Sequence, residues 1–143
     1  MEYKESDSIL LEKFKKKFEH ADRFAELMGL QVEEGHLGYG KVSLPFCEKL
    51  TNASGSPQGG ALFALADIAF ALACNYGEET IMVTSNANMA FIRGTRKGPL
   101  TAEGKKIAGG RKLANYLVEV RDGDGELIAT GLFEGYRTKA PLF

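Results

Sequence analysis

At 143 residues the chain is the size of one compact domain, which most often holds roughly 100–150 residues, and it can bury a core without disulfide staples. Its 44% hydrophobic and 26% charged residues exclude intrinsic disorder. A formal net charge of -1 excludes the basic excess with which duplex-binding proteins neutralise phosphates. Cys47 and Cys74 lie far apart with no CxxC or Cys/His spacing, so neither a disulfide framework nor a zinc site is expected. The polar opening of the chain carries no apolar stretch. The longest apolar run, residues 61–74, is interrupted by Asp67 and is too short for a bilayer. The expectation is a single domain over residues 1–143, without signal peptide, membrane span or nucleic-acid partner, in the cytoplasm.

Taken in chain order, Ser6, Asp7 and Ser8 offer helix caps. Leu10, Phe14, Phe18, Ala21, Ala25 and Met28 then recur at steps of three and four. That spacing predicts one amphipathic helix over about residues 7–29, with Gly29 as its C-cap and Lys15, Lys16 and Lys17 mostly toward solvent. Over residues 30–46 the period falls toward two, predicting two short strands that turn near residues 35–40. Residues 52–60 are small, polar and glycine-rich, with Pro57 suited to a helix start. A second helix, over about residues 58–76, has almost no polar face and must be surrounded by protein. Residues 80–93, 100–108, 112–121 and 126–138 read as strands, and Asp122-Gly-Asp-Gly125 as a hairpin turn.

Helix, two strands, buried helix and four strands define an α+β fold: an antiparallel sheet, its consecutive strands able to pair as hairpins, wrapped around the buried helix. Where the sheet stops the helix still needs cover, so a dimer with sheets joined edge to edge is expected.

Asp67 is the strongest chemical signal. A carboxylate in the middle of a buried helix is costly unless it is paired, hydrogen-bonded or open to a cavity. Two readings stand, a structural Asp satisfied by its neighbours and a reactive one, since perturbed charges cluster at sites. Gly59 and Gly60 fall at the start of the same helix, where backbone N–H groups lack intrahelical partners and attract an anion or developing oxyanion. Alone, such a pair equally suits close packing or a tight turn. Eight residues separate Gly59 from Asp67, roughly 12 Å along a helix, so a pocket using both would most naturally draw on two chains.

The segment Asn52-Ala-Ser-Gly55-Ser-Pro-Gln58-Gly59-Gly60-Ala-Leu-Phe-Ala-Leu-Ala-Asp67 resembles the signature of hotdog-fold acyl-CoA thioesterases of the phenylacetate-degradation (PaaI-like) type. That pattern has an Asn, a Gly three residues on, His-Gly-Gly, an apolar helix, and an Asp nine residues after the His. Asn88-Met-Ala-Phe-Ile-Arg93 and Gly98-Pro-Leu-Thr-Ala102 resemble it too, and the likeness spans about residues 25–138. The resemblance implies a hotdog fold and hydrolysis of an acyl- or aryl-acyl-CoA thioester. It implies Asp67 as nucleophile or general base, the Gly59 N–H as polariser of the thioester carbonyl, and Asn52 as the group positioning water or substrate. Thr84 or Ser85 would orient the water. It implies homodimers with sites shared between subunits, associating as dimers of dimers, and no cofactor beyond the coenzyme A of the substrate.

The departure is Gln58, standing where the pattern has His. Its carboxamide can reproduce oriented hydrogen bonds but cannot titrate, and Asp67 with a backbone oxyanion donor needs no histidine. His20 and His36 are expected at the surface or in structural roles, which disfavours hydratase chemistry. Residues 93–112 carry Arg93, Arg96, Lys97, Lys105, Lys106, Arg111 and Lys112 against one acid, Glu103. This excess could attract the phosphates of coenzyme A, Arg93 and Arg96 foremost, or could be solvated strand ends. Gly60 and Phe63 are further candidates for substrate contact. Phe63, Phe70, Tyr76 and Phe91 could line a pocket, though their spacing suits core packing. The alternative function is a non-catalytic acyl-CoA or lipid-binding hotdog protein, favoured by Gln58 and opposed by the joint presence of Asp67, Asn52 and Gly59.

Overall fold

The computed structural model describes residues 6–143. Chain order runs α1 (Asp7–Lys15), a π-helical turn (Lys16–Ala21), α2 (Arg23–Met28), β1 (Gln31–His36), β2 (Tyr39–Leu44), a 3-10 turn (Glu48–Leu50), α3 (Gly59–Asn75), β3 (Thr80–Phe91), β4 (Leu100–Gly109), β5 (Leu113–Arg121) and β6 (Leu127–Pro141). The N-terminal helix is therefore broken where periodicity predicts one rod. Asp22 leaves the helical region, and its carboxylate accepts the Ala25 N–H at 3.0 Å, capping α2 afresh. Gly29 ends α2 in the left-handed conformation, φ 81°, as its C-cap role requires. Phe14, Phe18, Ala25 and Met28 are buried as expected. Ala21, in the unwound turn, is exposed. The lysine face has a partner of its own. Lys17 Nζ donates to the Leu142 carbonyl at 2.9 Å, and Lys13 and Lys17 lie over the Phe143 ring, clasping the C-terminus onto α1.

Six antiparallel strands form one sheet in the order β1-β2-β4-β5-β6-β3. The pairing of consecutive strands fails at β3, which pairs with neither β2 nor β4. The chain leaving α3 forms β3 on the far edge against β6, and β4 returns to pair with β2. The reason is α3 itself, which lies across the concave face and delivers the chain to the opposite edge, where a β3–β4 hairpin cannot form. The inward positions of β4 and β5 (Leu100, Ala102, Ala114, Tyr116, Val118, Val120) and Phe133 of β6 close around Leu65, Ala66, Ala69, Phe70, Leu72 and Ala73 of α3 in one core. Two glycines set how close helix and sheet come. Gly40 and Gly104 face each other across the β2–β4 ladder, and a Cβ on either would stand 2.9 Å from the Ala69 carbonyl oxygen.

Candidate active site

Asp67 sits half-way along α3, half-buried on the side facing β3. The Thr84 hydroxyl donates to its Oδ1 at 2.6 Å. Burial pushes the Asp67 carboxyl above the usual carboxylate value, the Thr84 hydrogen bond opposes this, and the negative charge of Asp22 adds a smaller upward push. Between the two expected hydroxyls the structure separates roles. Thr84 meets Asp67, whereas Ser85 turns away to the Glu134 carbonyl and carboxylate at 3.1 and 3.2 Å. A register shift between Thr84 and Asn86 in the β3–β6 ladder accounts for neighbours serving different partners.

The N-terminus of α3 is built by the loop before it. Asn52 Oδ1 accepts the N–H groups of Ser54 and Ser56 at 2.9 and 3.2 Å, so the oxygen of this side chain folds the loop and only its amide N–H groups remain for a ligand. Arg96 braces the same loop, donating to the Ser54 carbonyl at 3.3 Å and packing over Gly55. Gln58 is the N-cap of α3, and its side-chain oxygen accepts the Gly60 N–H. The Gln58 carbonyl accepts the Ala61 and Leu62 N–H groups at 2.9 and 3.1 Å. Among the described residues the Gly59 N–H alone of these four has no acceptor. Gln58 thus consumes the donor at Gly60 and leaves one open N–H at the positive end of the helix dipole.

That N–H adjoins a cavity of about 250 Å³ lined by Asn52, Ser56, Gly59, Leu62, Phe91 and Arg93 among others. Phe91 is 54% exposed, and its ring edge lies 3.5 Å from where a Gly59 Cβ would stand. Core packing is the role its spacing suggests, so this placement beside the α3 start, at the last residue of β3, is a difference. Phe70 and Tyr76 are core residues. Phe63 is half-buried, its ring 5.7 Å from that of Phe133. Arg93 is exposed and pairs with Glu126 at 3.6 Å. His20 and His36 are both exposed, the first beside Glu26 and the second stacked on Tyr39. Neither Cys47 nor Cys74 is in a disulfide.

A long helix enclosed by a six-stranded antiparallel sheet is the hotdog fold. The match extends to sequence. A family model for the thioesterase superfamily covers residues 58–129, and the chain belongs to that family. The acyl-coenzyme A thioesterase PaaI of Escherichia coli is 30% identical over 80% of this chain and 80% of its own length. The structure of that PaaI protein, from the phenylacetic acid degradation operon, superposes with a TM-score of 0.80 at 26% identity, covering 92% of this chain and 98% of the other. A mutant structure of the phenylacetic acid degradation protein PaaI from Thermus thermophilus gives 0.74 at 32% identity, covering 82% and 100%. The chain is a PaaI-like member of the superfamily. Among the described residues, no helix is long and apolar enough to cross a membrane.

Proposed function

We propose that the protein hydrolyses acyl-CoA thioesters to free acid and CoA, with Asp67 and the Gly59 N–H acting on one thioester. The observation that carries this is the pairing on one helix of a half-buried carboxylate, fixed through Oδ1 by Thr84, with a helix-start N–H that has no acceptor among the described residues. The N–H polarises the carbonyl and receives the oxyanion. Asp67 acts on the carbonyl carbon directly or by taking a proton from water. When water attacks, collapse of the adduct breaks the C–S bond, and the proton that Asp67 took from the water passes to the departing thiolate. When Asp67 attacks, collapse expels the thiolate, which takes a proton from solvent. It leaves an acyl–Asp67 anhydride that water then hydrolyses to the free acid and the restored carboxylate. No cofactor is needed. Arg93 and the loop braced by Arg96 supply positive charge beside the cavity for the CoA phosphates.

One chain cannot bring these groups together, because eight helical residues hold them roughly 12 Å apart. β3 offers the remedy. It is an edge strand paired only with β6, twelve residues long with no charged side chain, and unprotected edges of that kind pair with another chain. Two β3 edges joined about a twofold axis run the two α3 helices antiparallel, which carries the α3 start of one protomer toward Asp67 of its partner. Gln58 does not redirect the reading to a passive binder, since its side chain serves as a cap.

The test is release of free CoA thiol from short-chain, long-chain and aryl-acetyl CoA thioesters by wild type and Asp67→Asn. Wild-type turnover with a loss of about 10²–10⁴-fold in the variant is the expected result. Equal turnover would remove Asp67 from the chemistry, and saturable binding of CoA esters without turnover would make the protein a binder.

A further inference from the structure

At the other end of α3 the sheet outruns the helix. α3 stops at Asn75, while β4, β5 and β6 continue beyond it, and their inward alternation goes on. On β4 the inward series Leu100, Ala102, Gly104 ends at Lys106. Lys106 is paired directly with Tyr116 of β5, and residues opposite each other on a ladder share a face. Arg137 continues the inward series of β6, after Phe133 and Gly135. Side chains that point inward past the end of a helix meet no core. Here they bound a cavity of about 620 Å³, lined by Glu78, Glu79, Met82, Lys106, Ala114, Tyr116, Arg111 and Arg137 with two glycines. That volume is in the range of small-ligand pockets.

Two of these groups are unusual. Tyr116 is 3% exposed, yet among the described residues its hydroxyl has no hydrogen-bond partner. No fully enclosed side-chain N or O in the described residues is left unsatisfied, so the accessible part of this hydroxyl faces the cavity it lines. Burial pushes the phenol up to about 12, which keeps it a donor at neutral pH. Arg137, nine-tenths buried, is fixed by bonds to the Arg111, Thr80 and Cys74 carbonyls at 3.3, 2.7 and 2.8 Å. Three of its five N–H groups are thereby used, and two remain. The Glu78 carboxylate stands 3.8 Å away. Lys106, Arg111 and Arg137 against Glu78 and Glu79 leave a formal excess of one positive charge.

We propose that this cavity is a binding site, separate from the Asp67 and Gly59 centre, for a small organic monocarboxylate, held by the Tyr116 hydroxyl, the Lys106 ammonium and the remaining Nη1 N–H of Arg137, whose Nη2 faces Glu78. Donors on three adjacent strands line the one cavity, Tyr116 and Arg137 on its buried side and Lys106 at its exposed rim, across from the Glu78 and Glu79 carboxylates. The single excess charge favours a monoanion over a phosphate dianion, which the two rim glutamates would repel. The inference does not depend on the thioesterase reading.

The experiment is calorimetric titration of wild type with acetate, benzoate and inorganic phosphate at constant ionic strength in a zwitterionic buffer. Saturable binding of a carboxylate, with phosphate weaker, is expected. It should weaken at least tenfold in Tyr116→Phe, which keeps the ring packed edge-on to Phe70 and removes only the oxygen, and likewise in Lys106→Ala. Asp67→Asn should bind as wild type does. Three results would overturn the assignment: no saturable carboxylate binding, binding indifferent to Tyr116→Phe and Lys106→Ala, or phosphate bound more tightly than either carboxylate.

Discussion

Asp67 is held in a compromise that its pH behaviour should expose. Burial raises its proton affinity, and Thr84 recovers part of the cost by donating to the charged form. The native state therefore binds this proton more tightly than the unfolded chain. Below the unfolded carboxyl value, about 3.9, both states are protonated and the shift has no effect. Above the native value both are ionised and the native state carries the whole desolvation penalty. Asp67→Asn should accordingly unfold at higher urea concentration than wild type at neutral pH, the gain shrinking as pH falls through the window above about 3.9. A gain that grows on acidification would show that the carboxylate stabilises the fold. In turnover the same group predicts a kcat/KM that rises through one ionisation, above the usual Asp value, with no second step of an imidazole, because Gln58 cannot titrate. Thr84→Val should move that limb to higher pH, having removed the one hydrogen bond that lowers it.

At the scale of elements, α3 is close to the sheet because two residues have no side chain. Gly40→Ala would set a Cβ 2.7 Å from the Ala73 nitrogen and 2.9 Å from the Ala69 oxygen, both backbone atoms that cannot rotate away. Gly104→Ala meets the same carbonyl. Each should cost about 1–3 kcal/mol or more, as overpacked cores do, read as a lower urea midpoint. Gly110→Ala, with nothing within 4 Å, is the control. The elements themselves were legible: the predicted spans of α3 and of the four later strands agree with the observed ones to within a few residues, since a helix apolar on all faces and strictly alternating strands leave few alternatives. The break at Asp22 was not, because the apolar spacing runs through it undisturbed and the deciding interaction is a local cap. Nor was the far placement of β3, because periodicity specifies which face of a strand is buried but not its neighbour.

At the scale of the molecule, the residues of the candidate site could be named from the motif and their assembly could not. Thr84 donates to Asp67 and the Gly59 N–H opens α3, while the Asn52 oxygen and Arg96 bind the loop. What sequence and one protomer share is the eight-residue gap, and it makes the shared-site reading testable by complementation. Gly59 is the first residue of α3, a position where proline is favoured and its missing N–H breaks no intrahelical bond. Gln58 before it is already extended, φ -66° and ψ 138°, as a residue preceding proline must be. Gly59→Pro therefore removes the proposed oxyanion donor and keeps the helix. Homodimers of Gly59→Pro and of Asp67→Asn should both be inactive. Refolded together in equal amounts, half the dimers become mixed, and each mixed dimer unites an intact Gly59 from one protomer with an intact Asp67 from the other in one of its two sites. Recovery of about a quarter of wild-type turnover is then expected. If both groups came from the same protomer, every site in the mixed dimer would lack one of them. The mixture would then stay as inactive as its components, and the edge-to-edge dimer of β3 would lose its part in the chemistry.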